Sequence, residues 1–307
     1  MRTAHIGQLE VSVVGLGCNN FGRALDAAGS IEVVESALAA GINFFDTASN
    51  YGEGQSESFL GAALGSRRGD VVIATKFGVP ISGWEGSGGA APGYVREVVE
   101  RSLRELGTDY IDLLMIHFPD PDTPIEDTLD VMNDFVAAGN VREIGCSNFE
   151  SLQLREAAEV SDERGLPSLV CDQVHFSMVH RDPLSDGTRE ACRDLGVALL
   201  PYYPLGAGLL TGKTRRGETP VGRLKMDRYQ EFLTDENFDI AEGLESFAAE
   251  RGLSMVQVAL GWLISFDEVP AVTAGATKPE QVMANAAAAE WTPSEDDLAE
   301  LRALVGP

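Results

Sequence analysis

Asp46, Tyr51, Lys76 and His117 are residue types that together can move a proton. A phenol has an ordinary pKa of about 10, which makes it a poor donor at neutral pH. A nearby ammonium stabilises the phenolate and brings that value down. Lys76 is the ammonium of the set, and Asp46 is the carboxylate that can hold it in place. His117 can hydrogen-bond a substrate oxygen and orient it. The combination suits protonation of a carbonyl oxygen while hydride arrives at its carbon. Taken singly, each has a plainer reading: a helix cap for Asp46, an exposed strand end for Lys76, a satisfied core histidine for His117.

Their positions argue for the joint reading. INFFD ends at Asp46, VVIATK at Lys76 and YIDLLMIH at His117. EIGCSN ends at Ser147 and Asn148, SLVCDQ at Gln173, VALLPY at Tyr202, and VPAVTAGAT runs into Lys278. Continuous apolar runs of this kind read as parallel strands buried on both faces. With VVGLG at 13–17 as the first and AVTAG as the last, eight runs alternate with helical stretches. That alternation predicts a (β/α)8 TIM barrel, which gathers the C-terminal ends of its strands around one mouth. Before the first strand, MRTAHIGQLEVSVV reads as a short β-hairpin with Gly7 near its turn.

The helices follow from caps and periodicity. Ser30 is a good N-cap for the first and Gly41 a good stop. Further helices are predicted near 55–64, over 93–106, where Val95, Val98, Val99, Leu103 and Leu106 recur at helical spacing, and at 125–138. A last helix near 294–304 is expected to act as a lid or a brace. Two connections, 77–92 and 206–236, are too long to be joints, and should rise over the mouth.

Composition narrows the function classes. The 307 residues read as a single domain, 1–307, and 44% of them are apolar. No apolar stretch is long enough to cross a bilayer, and the N-terminus lacks the apolar segment of a signal peptide. A net charge of −25 argues against nucleic-acid and anionic-membrane partners. The cysteines at 18, 146, 171 and 192 form no CxxC pair, so no zinc site is indicated and a cytoplasmic location is expected. GLGCNNFG does not match the dinucleotide fingerprint GxGxxG, and neither a P-loop nor HExxH is present. Histidines stand only at 5, 117, 175 and 180, too few with carboxylates nearby for a metal-dependent barrel hydrolase. One segment opposes the acidic surface: Lys213, Arg215, Arg216, Arg223, Lys225 and Arg228 face only Glu218 and Asp227. A bound phosphate would explain such an island; from charge alone a solvated loop is the better reading.

FFDTASNYGEGQSE, VIATKFG, LGTDYIDLLMIHFPD, EIGCSN, PYYPLGAGLLTGK and GATKPEQV resemble, in order, the signatures of the aldo-keto reductase superfamily. The resemblance runs from the hairpin to about residue 290. It implies a barrel that binds NADPH, with NADH as the alternative, across its mouth without a Rossmann fold, and a small carbonyl substrate. It implies a catalytic tetrad of Asp46, Tyr51, Lys76 and His117. Ser147, Asn148 and Gln173 match the clamp on the nicotinamide carboxamide, and Tyr202 the aromatic under the nicotinamide ring. Tyr203, Pro204, Leu205, Gly206, Ala207 and Lys213 match the segment around the pyrophosphate, with Arg223 as a further phosphate ligand. Gly275, Thr277, Lys278, Gln281 and Asn285 match the adenosine end, where Lys278 and the basic island could neutralise a 2′-phosphate. Cys18 and Asn19 stand where many members carry an aromatic near the cofactor. Ala284 replaces an acidic residue and Gln281 an arginine, departures that bear on the strength of NADPH preference.

Asn20, Phe21, Trp84 and Phe118 are expected to shape the substrate end, and an Asn pair beside aromatics suits a sugar or hydroxylated carbonyl. The competing function is a cofactor-sensing partner similar to potassium channel beta subunits. The complete tetrad argues for turnover instead.

Overall fold

The computed structural model describes residues 1–306. A hairpin of β1 (Thr3–Ile6) and β2 (Leu9–Ser12) precedes eight parallel strands. These are β3 (Val14–Gly17), β4 (Phe44–Asp46), β5 (Val72–Phe77), β6 (Ile111–Ile116), β7 (Val141–Ser147), β8 (Cys171–His175), β9 (Ala198–Tyr202) and β10 (Val272–Gly275). Their order is β10-β3-β4-β5-β6-β7-β8-β9. β9 packs beside β10, and the Thr273 hydroxyl donates to the Pro201 carbonyl at 3.4 Å across that seam. The expected (β/α)8 barrel is the observed one.

The helices are α1 (Ala27–Ala39), α2 (Ser56–Leu64), α3 (Pro92–Leu106), α4 (Ile125–Ala138), α5 (Ser151–Arg164), α6 (Thr188–Leu195), α7 (Asp235–Glu250), α8 (Met255–Ile264), α9 (Pro279–Ala286) and α10 (Glu295–Val305). The cap of α1 differs from expectation. Asp26 fills that role, its carboxylate accepting from Gly29 N at 2.9 Å. Ser30 lies one turn inside the helix, buried, and its hydroxyl donates to the Asp26 carbonyl. Both residues are good caps, and the Ala-Ala between them extends the helix to the earlier one. The last helix is a brace. Its Leu301 and Val305 are buried, and Arg251 at the end of α7 reaches Asp297 at 2.7 Å and Glu300 at 2.6 Å.

Alternation along the strands divides the core in two. Outward residues such as Phe45, Ile73, Leu114, Ile144 and Leu199 join the buried faces of the helices. Inward residues Phe44, Val72, Ala74, Leu113, Met115, Cys171, Leu200 and Ala271 fill the barrel, and the hairpin's Ile6, Leu9 and Val11 close its lower end. Gly15 is required here, because a Cβ on it would stand 2.7 Å from the Phe44 ring. The four cysteines are free and buried. No helix among the described residues is long and apolar enough to cross a membrane.

Near the lower end, Asp112 is fully buried and takes hydrogen bonds from Arg68 at 2.7 Å, Arg142 at 2.6 Å and Ile73 N at 3.0 Å. The two guanidinium groups also lie 4.1 Å from the centroid of the Tyr110 ring. Removing the carboxylate strands the buried Arg68. Asp112→Ala should destabilise the protein by about 3–5 kcal/mol. Urea unfolding would show a lower midpoint with an unchanged slope.

Candidate active site

The site is built one step above the inward core layer. In a strand, residues two apart point the same way. Phe44 therefore predicts the direction of Asp46, Ala74 that of Lys76, Met115 that of His117, Cys171 that of Gln173, and Leu200 that of Tyr202. Asp46, His117, Ser147, Gln173 and Tyr202 all line a cavity of about 580 Å³ at the C-terminal end of the barrel. Lys76 lies just beneath it, fully buried, its ammonium 2.6 Å from the Asp46 carboxylate and 2.8 Å from the Thr47 carbonyl.

Tyr51 reaches the cavity from a turn rather than from a strand end. The chain reverses over Tyr51–Gly54, with Gly52 and Glu53 both in the left-handed region at φ 57° and 58°. Gly52 is tightly constrained there, since a Cβ would collide with the Phe21 carbonyl. The turn brings the Tyr51 ring centroid to 5.0 Å from the Lys76 ammonium and 5.7 Å from the His117 ring, edge to face.

Electrostatics then set the protonation states. Burial raises the Tyr51 pKa above its usual 10.0; Lys76 pulls it down, but less than burial lifts it. The sequence reading expected the ammonium to prevail. With burial winning, the phenol holds its proton at neutral pH. Burial also works against the Lys76 ammonium, yet Asp46 and Tyr51 outweigh it and raise the lysine pKa. His117 is pushed down to about 3 by burial and then by the Lys76 charge, so its imidazole is neutral.

On the far wall, Ser147 and Gln173 are register partners across β7 and β8. The Ser147 hydroxyl donates to the Gln173 carbonyl at 2.7 Å. Asn148, with φ 62°, donates through Nδ2 to the His117 carbonyl and to Ser147 Oγ, and accepts from the Tyr202 hydroxyl. Gln173 Nε2 is buried with no partner. Behind Tyr202 the His175 ring lies nearly parallel at 5.3 Å, and His180 stacks on His175 at 3.6 Å. In the sequence these two histidines count only as too few for a metal. Their i and i+5 spacing gave no sign that they stack. Among the described residues no group of three His, Cys, Asp or Glu is placed to hold a metal.

Other predicted residues divide by location. Asn19, Phe118, Tyr203, Pro204, Arg223 and Gly275 line the cavity. Phe118 is 49% exposed and stacks on His117. Asn20 is mostly buried, donating to the Ala276 carbonyl, while Arg223 donates to the side-chain oxygens of Asn19 and Asn20 at 2.6 and 2.7 Å. Phe21 and Cys18 are fully buried in the core and do not wall the cavity. Trp84 does not either: it packs against Tyr94, with the Arg101 guanidinium 5.7 Å from its ring centroid. The 77–92 loop instead contributes Val79, Pro80 and Ser82.

Leu205, Gly206 and Ala207 continue from Pro204 into a short turn, followed by the exposed Lys213. Thr277, Lys278, Gln281 and Asn285 follow Gly275, with the Gln281 side-chain oxygen accepting from Thr277 N at 2.7 Å and Asn285 buried. The basic island does not act as a unit. Arg215 pairs with Glu245, and Arg216 with Asp235, Asp239 and Glu242, tying both to α7. Only Arg223 and Arg228 of the island line the cavity. The sequence does not single out Gly17, Arg23, Asn50, Gly52, Glu53 and Thr273 as lining residues. Apart from Thr273, within β10, their one signal was a place within a few positions of a strand's end.

A barrel with a buried Asp–Lys pair beneath a tyrosine and a neutral histidine defines a class of proton-transfer site. The Aldo/keto reductase family profile matches residues 13–305, and the chain belongs to that family. A probable aldo-keto reductase 1 of Glycine max is 34% identical over 304 residues, covering 95% of this chain and 85% of the relative. The aldo-keto reductase YhdN of Bacillus subtilis (strain 168) is 31% identical, covering 97% and 91%. A probable voltage-gated potassium channel subunit beta of Oryza sativa subsp. japonica is 32% identical, covering 89% and 85%. Membership makes this protein an oxidoreductase of the nicotinamide-dependent, carbonyl-acting kind.

The lowered His117 pKa, about 3, can be read directly. Nitrogen NMR of labelled histidine should show His117 neutral at pH 5 and at pH 8, with no titration between. A midpoint above pH 6 would mean that neither burial, the larger cause, nor the Lys76 charge acts on the ring as described.

Proposed function

We propose that this protein is an NADPH-dependent reductase of aldehydes or ketones, with Tyr51 as the proton donor. The observation that carries the reading is the buried Lys76–Asp46 pair, 2.6 Å apart, directly beneath Tyr51. The wall opposite fits a carboxamide. Ser147 is fixed by donating to the Gln173 carbonyl and accepting from Asn148 Nδ2, and the orphan Gln173 Nε2 is a ready donor to an amide oxygen. Tyr202, backed by His175, offers a flat platform for the nicotinamide ring. When bound, the nicotinamide supplies hydride to the carbonyl carbon.

The chain's own residues manage the oxygen. Tyr51 keeps its proton until charge develops on the substrate oxygen, then transfers it. The phenolate left behind faces the Lys76 ammonium, which Asp46 and the Thr47 carbonyl hold in place. The neutral His117 ring presents an N–H to the same oxygen without competing as an acid. Run in reverse, Tyr51 is the base. At the other end of the cofactor, Arg215 and Arg216 are committed to α7, and we assign the 2′-phosphate to Lys278, which the family resemblance puts at the adenosine end. The channel-partner role rests on the names of relatives alone, and the four side chains are complete here.

Tyr51→Phe and Lys76→Met should each lower kcat by about 10²–10⁴-fold. Fluorescence titration should show NADPH binding largely retained in both. Near-normal turnover in either variant removes the mechanism. Lys278→Ala should weaken NADPH about tenfold and leave NADH nearly unchanged. Much tighter binding of NADH than of NADPH by the unaltered protein would overturn the cofactor assignment.

A further inference from the structure

The surface of this protein is strongly acidic, and most of its arginines lie within ion-pair distance of a carboxylate, from Arg67 with Glu35 to Arg251 with Asp297 and Glu300. Arg2, Arg23, Arg104, Arg223, Arg228 and Arg302 make no such pair among the described residues, and three of these six, Arg23, Arg223 and Arg228, line the cavity above Tyr51. In a chain of net charge −25, three guanidinium groups at one mouth are a local reversal of field. Two carboxylates share the wall. Asp46 is neutralised by Lys76, and Glu53 is exposed, as Arg23 and Arg228 are, so three guanidinium groups face one unpaired carboxylate.

The three arginines stand in different places. Arg223 is bonded to Asn19 and Asn20 and belongs with the cofactor segment. Arg23 belongs with the proton donor. Its neighbour Gly22 packs on the Tyr51 turn so closely that a Cβ there would sit 2.9 Å from the Gly52 carbonyl. Asn50, Gly52 and Glu53 of that turn line the same cavity. Arg228 comes from the loop beyond β9, its guanidinium 4.9 Å from the Tyr229 ring centroid. A guanidinium with no carboxylate partner retains its donors for an incoming anion, and binds carboxylate or phosphate through paired N–H groups.

We infer that the carbonyl substrate carries an anionic group, a carboxylate or a phosphate, which Arg23 holds with help from Arg228 while Tyr51 addresses the carbonyl. This rests on the reductase reading above. It replaces the neutral hydroxylated carbonyl suggested by the Asn pair, because Asn19 and Asn20 direct their side-chain oxygens to Arg223.

The test compares matched substrates. 4-Carboxybenzaldehyde is set against its methyl ester, and glyceraldehyde 3-phosphate against glyceraldehyde, at low ionic strength. The ester is intrinsically the more electrophilic aldehyde, so preference for the acid reports charge at the site. In at least one pair, the anionic member should have a kcat/KM roughly five- to tenfold higher. Which pair responds tells carboxylate from phosphate. Arg23→Ala should collapse that ratio, Arg23→Lys should keep part of it, and added salt should shrink it. Equal kcat/KM within both pairs, or a ratio that Arg23→Ala leaves intact, overturns the inference while leaving the reductase standing. No turnover of any of the four with either cofactor, in protein that binds the cofactor, overturns both.

Discussion

The contact between Lys76 and Asp46 is the constraint on which the rest of the site depends. Two charges are taken out of water at the top of the barrel, an arrangement that persists only when each is fully compensated. Asp46 and the Thr47 carbonyl supply that compensation, and Tyr51 adds to it. The consequences spread outward. The ammonium moderates the rise that burial imposes on Tyr51, and it reinforces the neutrality of His117. A lysine placed one residue earlier on β5 would point outward with Thr75, toward Glu57 between strand and helix. The barrel's alternation therefore fixes the chemistry as well as the packing.

Much of this was legible in the sequence because the strands are short, apolar and end in polar residues. The rule that set Asp46, Lys76, His117, Gln173 and Tyr202 on a common face is the two-residue period of an extended chain. That period is written in the residue order. The barrel could be read for the same reason, since eight buried parallel strands leave little else for the pattern to mean. What escaped was set by loops and by competition. Trp84 looked like a mouth residue in a glycine-rich loop, yet its partners Tyr94 and Arg101 lie on α3, and no local signal announces that contact. Asp26 took the cap from Ser30 because two good candidates stood one turn apart. The basic island divided because acidic residues at 235, 239 and 242 recur at helical spacing and captured Arg216. Charge along the sequence cannot show which way a loop turns.

The aromatic wall behind the hydride side shows a different kind of dependence. Tyr202 is held at both ends, by Asn148 at its hydroxyl and by His175 against its ring. His175 is in turn covered by His180 and edged by Tyr203 and Phe232. These contacts join β8, β9 and the long loop beyond β9 into one packed unit. The loop that walls the cavity is thus anchored to the strands through rings, not only through hydrogen bonds.

Among the described residues, the four non-glycine residues with positive φ, Glu53, Asn148, Tyr203 and Ala207, belong to segments following the C-terminal ends of barrel strands. Such conformations cost about 1–3 kcal/mol each and persist where the surroundings over-determine them. The opposite end has the hairpin as its plug and the clamped Asp112, and among the described residues no left-handed side chain. The molecule is polarised along its axis, relaxed at the base and tensed at the rim. Mutational tolerance should follow the same axis: shape-preserving changes near the base trade only packing for packing. At the rim, even a change that relaxes the backbone redirects side chains that must meet at one carbonyl.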